Sequence, residues 1–86
     1  MNVTLELPDY SSETGVPIQW QGDFSVFTSG MADCFIIRAN KSGLVSLAIQ
    51  LLTLAQDEAP AGCHIHYDAF NSLEDGSIEL IIQKTD

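Results

Sequence analysis

Eighty-six residues, 45% hydrophobic and 17% charged, make a single globular domain, 1–86, with too much apolar content for disorder and too little core for a deep catalytic cavity. Twelve carboxylates face three cations, Arg38, Lys41 and Lys84, for a formal net charge of −9. This balance argues against nucleic acid and anionic membrane surfaces as partners, because phosphates are held by clustered Lys and Arg; a basic protein would be drawn in by electrostatic steering.

The chain opens on Val3, Leu5 and Leu7 alternating with Asn2, Thr4 and Glu6, the period of a half-buried strand over 2–7. This opening has no basic region and no leader-like apolar run, so no signal peptide is read. Cys34 and Cys63 are therefore expected as reduced thiols of a cytoplasmic protein rather than as a disulfide. Pro8 ends the strand, and 9–17 reads as a polar loop. A second strand is expected over 18–28 with a turn or bulge at Gly22-Asp23, then a turn at Ser29-Gly30 and a third strand over 34–39.

Asn40 is a good N-cap, and Leu44, Leu47, Ala48, Leu51, Leu54 and Ala55 recur at helical spacing. Val45, Ile49 and Leu52 widen that stripe, which predicts a helix with much of its girth covered. Ser46, Gln50 and Thr53 interrupt the stretch, so it does not read as a membrane span. Ser42 and Gly43 are poor formers of a first turn, and Asp57 and Glu58 oppose the dipole at the far end, predicting fraying there. Two more strands, over 63–67 and 77–84, are joined by a connection at 68–76 too long for a tight hairpin. The expected fold is α+β: an antiparallel sheet of about five strands, order βββαββ, with one helix packed on one face and the other face open.

His64-Ile65-His66-Tyr67-Asp68 is the segment richest in chemistry. Residues two apart on a strand share a face, so His64, His66 and Asp68 are weak candidates for a metal site or a small metal-dependent enzyme. The spacing is similar to the first half of the metallo-β-lactamase motif, which needs a further histidine; Ala69 follows instead, and the chain has only these two histidines. The simpler reading turns Ile65 and Tyr67 to the helix and leaves the histidines on the open face. Cys63 and His64 are adjacent on a strand and point to opposite faces, the serines lack a strained elbow, and the six glycines have no phosphate-cradling spacing. No catalytic residue, cofactor or enzyme activity is read from this chain. Among the aromatics, Phe70 stands out because it lies in a loop with Asp68, Asn71, Glu74 and Asp75, where an apolar ring reads as an interface anchor.

Three stretches carry a family likeness: Ala39-Asn40-Lys41-Ser42-Gly43-Leu44; the helix end Leu51-Leu52-Thr53-Leu54-Ala55-Gln56; and the tail from His64 to Asp68, followed by Asn71-Ser72-Leu73-Glu74-Asp75-Gly76-Ser77 and Glu79-Leu80-Ile81-Ile82. Together they resemble the immunity protein 32 family of bacterial polymorphic toxin systems, over roughly 36–84, with weaker agreement at Pro8-Asp9-Tyr10. The resemblance implies an antitoxin that neutralises a toxin by binding it, without naming the toxin or the surface used, and it brings no catalytic residues. The expected binding residues are His64, His66, Asp68, Phe70, Asn71, Glu74 and Asp75, set against a basic toxin domain. The other readings are the metal protein just described and a self-associating domain that forms a homodimer through its open sheet face.

Overall fold

The computed structural model describes residues 1–86. Its elements, in chain order, are β1 (Val26–Gly30), β2 (Phe35–Ala39), α1 (Lys41–Leu54), β3 (His64–Tyr67) and β4 (Leu80–Gln83). The class is α+β as expected, but the single sheet of five strands is not formed. There are two antiparallel hairpin sheets of two strands each, β1–β2 and β3–β4. Bonds from Glu74 N to Val26 O and from Ile78 N to Thr28 O lay the approach to β4 along the free side of β1. The Thr28 hydroxyl also donates to Ile78 O.

The turn of the first hairpin falls at 31–34, closed by Met31 N to Cys34 O, rather than at Ser29-Gly30. Cys34 and Cys63 are free thiols. The strand expected over 2–7 is absent, and of 18–28 only the end is β. For 8–21 the physical reason lies on the helix and just past its end. Ser46 Oγ accepts from Gln21 N at 2.8 Å, Gln50 Nε2 donates to Gln19 O at 2.9 Å, and Gln56 Nε2 donates to Pro8 O at 2.8 Å. Backbone groups that a sheet would have satisfied are thus satisfied by helix side chains, and 8–21 runs as a strap antiparallel to α1. Ser46, Gln50 and Thr53, which looked like interruptions of an apolar stripe, are fully buried. The helix is accordingly rotated from the expected stripe: Leu47 and Leu54 enter the core, whereas Leu44, Leu51 and Leu52 are 41–56% exposed.

Asn40 caps the helix and joins it to β1. Its Oδ1 accepts from Gly43 N at 2.8 Å and Ser25 N at 3.0 Å, and its Nδ2 donates to Asp23 O. Gly43 costs about 1 kcal/mol of helix propensity, and its placement supplies the reason for it. A Cβ there would lie 2.6 Å from Ser25 O and 3.0 Å from Val26 Cγ2, so only glycine lets the helix approach the hairpin this closely. At the other end Lys84 Nζ donates to Gln56 O and Ala59 O, both at 2.7 Å, placing a cation where the helix dipole favours one and offsetting Asp57 and Glu58. The core gathers Val26, Leu47, Leu54, Ile65, Tyr67 and Leu73 between the helix and the two hairpins. No helix is long and apolar enough to cross a membrane.

Candidate functional site

Strand β3 divides its residues by face. Ile65 and Tyr67 are buried, while His64 and His66 are exposed on the outer face. The Tyr67 hydroxyl donates to Gln50 Oε1 at 2.8 Å, and burial pushes its pKa from 10 up to about 12. The two histidines do not converge with a third ligand. His64 Nδ1 lies 3.2 Å from Gly62 O, whereas His66 Nε2 lies 3.2 Å from Glu79 Oε2 and 3.8 Å from Asp68 Oδ2. No group of three His, Cys, Asp or Glu side chains is placed to hold a metal ion, so the His64, His66 and Asp68 triad does not assemble.

Past β3 the chain folds into a tight turn set by its own side chains. Asp68 Oδ1 accepts from Phe70 N and Asn71 N, both at 2.9 Å. Asp68 O accepts from Ser72 N and Leu73 N. Asn71 returns the contact: its Oδ1 accepts from Asp68 N and its Nδ2 donates to His66 O at 3.0 Å. Leu73, 5% exposed, roots the turn in the core. These are Asx-type bonds in which short polar side chains replace a secondary-structure ladder. The turn holds Phe70 completely exposed, with Glu74 and Asp75 exposed beside it. Burying a Phe is worth about 1.5–3 kcal/mol, so this ring forgoes a core contribution on a backbone that is already ordered. Asn71, also expected as a contact residue, shapes the turn through these bonds and remains exposed.

The structure adds a feature that strand alternation did not reveal. A cleft of about 360 Å³ opens between the strap and β3, with Ile18 and Trp20 on one side and His66, Tyr67, Asn71 and Ser72 on the other. Trp20 stacks on Phe24 with centroids 4.2 Å apart and meets the Tyr67 ring edge-on at 6.1 Å. The only sequence signal for this wall was an aromatic set among glutamines, and it carried no indication of which face Trp20 would take.

Two hairpins, a capped helix and a side-chain-locked turn beside an aromatic cleft define a small α+β domain whose formed surface lies along one edge. The immunity protein 32 family model matches residues 35–85, more than half the chain, and the protein belongs to that family. No curated protein and no solved structure matches it. The match takes in β2, α1, β3, the turn and β4, and leaves out the strap.

Proposed function

We propose that this chain is an immunity protein that neutralises a toxin by binding it through the outer face of β3 and the turn at 68–75. The observation that carries the reading is Phe70, fully exposed on a turn ordered before any partner arrives, in a member of this family. A rigid aromatic anchor loses little entropy on binding, and such residues dominate interface energetics. Asp68, Glu74 and Asp75 belong to the same turn and Glu79 meets His66 on the outer face of β3, and with a net charge of −9 they favour a basic toxin surface. His64 and His66 extend the same outer surface. Occlusion of the toxin's active site by this edge is the mechanism, and it needs no chemistry from this chain.

The test is growth. Reading frames beside the gene are expressed singly from an inducible promoter, with and without this chain. One that arrests growth and is relieved by the chain supports the reading; protection should then be lost in Glu74→Lys/Asp75→Lys and in Phe70→Ala. If no neighbour is toxic, or if protection survives all these changes, the proposal fails.

Self-association is a second reading, favoured by one observation. Strand β2 pairs only with β1, and Phe35 and Ile37, on the helix-bearing face, are 45% and 42% exposed with no carboxylate anywhere on the strand. Arg38 is the strand's one charge, and an apolar edge with so little guard can pair with its own copy. The contact would be this edge rather than an open sheet face. Sedimentation equilibrium should show a dimer abolished by Ile37→Lys; a monomer at all concentrations removes the reading.

A further inference from the structure

We infer that the open edge of β2 is the docking site for residues 2–7 of a second copy of this chain, which add to it as a strand. This rests on the self-association reading for the edge and names the segment that occupies it. Thr28 uses its backbone on the side away from β2: its N–H donates to Ser77 Oγ at 3.1 Å, and its carbonyl accepts from Ile78 N. Thr28 and Ile37 are therefore opposed without bonding each other, and the N–H and C=O of Ile37 point out from the hairpin. Phe35, two residues away, directs its backbone groups the same way. An edge of this kind is a template for one more strand.

The chain carries an unpaired segment of matching pattern. Residues 2–7 have the alternation of a strand, yet they lie in no ladder and make no backbone–backbone hydrogen bond. Their own β2 is not where they go: Pro8 O is held by Gln56 Nε2, past the C-terminal end of α1, and Glu6 and Leu7 line a shallow cleft with Gln19. Laid antiparallel on the β2 of another copy, Leu5 falls opposite Ile37, Leu7 opposite Phe35 and Val3 opposite Ala39. Apolar side chains then meet on the helix-bearing face, where Phe35 and Ile37 are now exposed. On the other face Glu6 lies diagonal to Arg38, within reach of long side chains, and each is the one charge of its segment. Pro8, with no N–H to donate, falls just beyond the end of β2.

Charge selects the occupant. Residues 34–56 hold Arg38 and Lys41 and none of the twelve carboxylates, a charge of +2, while the rest of the chain, with all twelve and Lys84, carries −11. This stretch, which contains β2 and α1, is where a second acidic copy is attracted and where a basic toxin gains nothing. The edge also lies apart from the surface assigned to toxin. Strand β1 stands between β2 and the chain leaving the turn at 68–75, because Glu74 N and Ile78 N bond Val26 O and Thr28 O on its far side. Each copy gives an arm and receives one, which closes the dimer and leaves both turns free.

The experiment uses the full chain in two measurements. Sedimentation equilibrium gives the dimer dissociation constant, and isotope-filtered NOEs in a mixture of labelled and unlabelled chain report contacts between copies. NOEs should connect 2–7 of one copy to 35–39 of the other. Leu5→Pro removes the central donor of the arm, and Ile37→Lys puts a charge on the edge; each should weaken the dimer at least about ten-fold. Glu6→Lys should weaken it about three-fold or more at low salt, and Arg38→Glu added to it should restore the affinity. Dimers that survive Leu5→Pro but not Ile37→Lys mean that β2 pairs with β2, which overturns the arm and leaves self-association standing. A monomer at every concentration removes both. NOEs that join 2–7 to 35–39 within one copy, or that join two copies elsewhere, also overturn the arm. The NOEs are read on the unsubstituted chain, so they decide even where a variant fails to fold.

Discussion

The seam between strap and helix and the turn at 68–75 use the same device to opposite ends. In both, side-chain amides, hydroxyls or carboxylates bond to backbone in place of a strand ladder. In the seam Ser46 and Gln50 are fully buried and the result is invisible from outside. In the turn Asp68 and Asn71 work at the surface, and the result is a fixed aromatic ring in water. A polar side chain in the interior is there to satisfy a donor or acceptor that would otherwise be orphaned. The same side chain at the surface orders a backbone that water would have satisfied anyway, which points to presentation rather than stability.

The sharpest way to break this contrast is Gln50→Ala. It leaves the Tyr67 hydroxyl and Gln19 O unpaired and opens a cavity, so chemical denaturation should show a loss of about 3–5 kcal/mol. A loss comparable to that of an exposed Gln would mean the seam is wet. Gly43→Ala comes next: the close contact with Ser25 O should outweigh the propensity gain and cost about 1–3 kcal/mol net in the same assay.

Tyr67→Phe should cost about 1–2 kcal/mol by leaving Gln50 Oε1 without a donor. It also carries a pH signature. The folded pKa is raised, so above pH 10 the unfolded chain ionises while the folded chain keeps its proton. Stability from this group is complete below pH 10 and declines up to about 12, and the Phe variant should lack that decline in pH-dependent melts.

Leu51→Ala should cost less than about 1 kcal/mol, because Leu51 is 41% exposed on the rotated helix. A cost near the ~2–5 kcal/mol of a core leucine would restore the stripe expected from spacing. Phe70→Ala should leave stability within about 0.5 kcal/mol while lowering toxin affinity at least about ten-fold in titration calorimetry. A destabilised Phe70 variant would return this ring to the fold and take it from the interface.

Local signals were legible where a side chain acts on its own neighbours. Asn40 announced the helix start, β3 split its two faces as alternation requires, and Phe70 stood out among carboxylates. The segment 2–7 differs from expectation because Val3, Leu5 and Leu7 alternate as a strand would. Leu5 and Leu7 are half-buried but Val3 is 61% exposed, so the alternation there does not mark a packed strand face. The cleft was missed because its two walls come from parts of the chain some 45 residues apart, joined by no motif.

The amino-acid order alone thus determined the α+β class, the capped helix, the family and the acidic character of the surface. Each of these depends on composition or on residues within a few positions of one another. Tertiary structure alone decided the split into two hairpins, the rotation of α1 and the cleft beside Trp20. Those depend on which backbone groups found partners: once Ser46, Gln50 and Gln56 took the strap's amides and carbonyls, no sheet was needed there, and the leucines on the helix's other side were left facing outward.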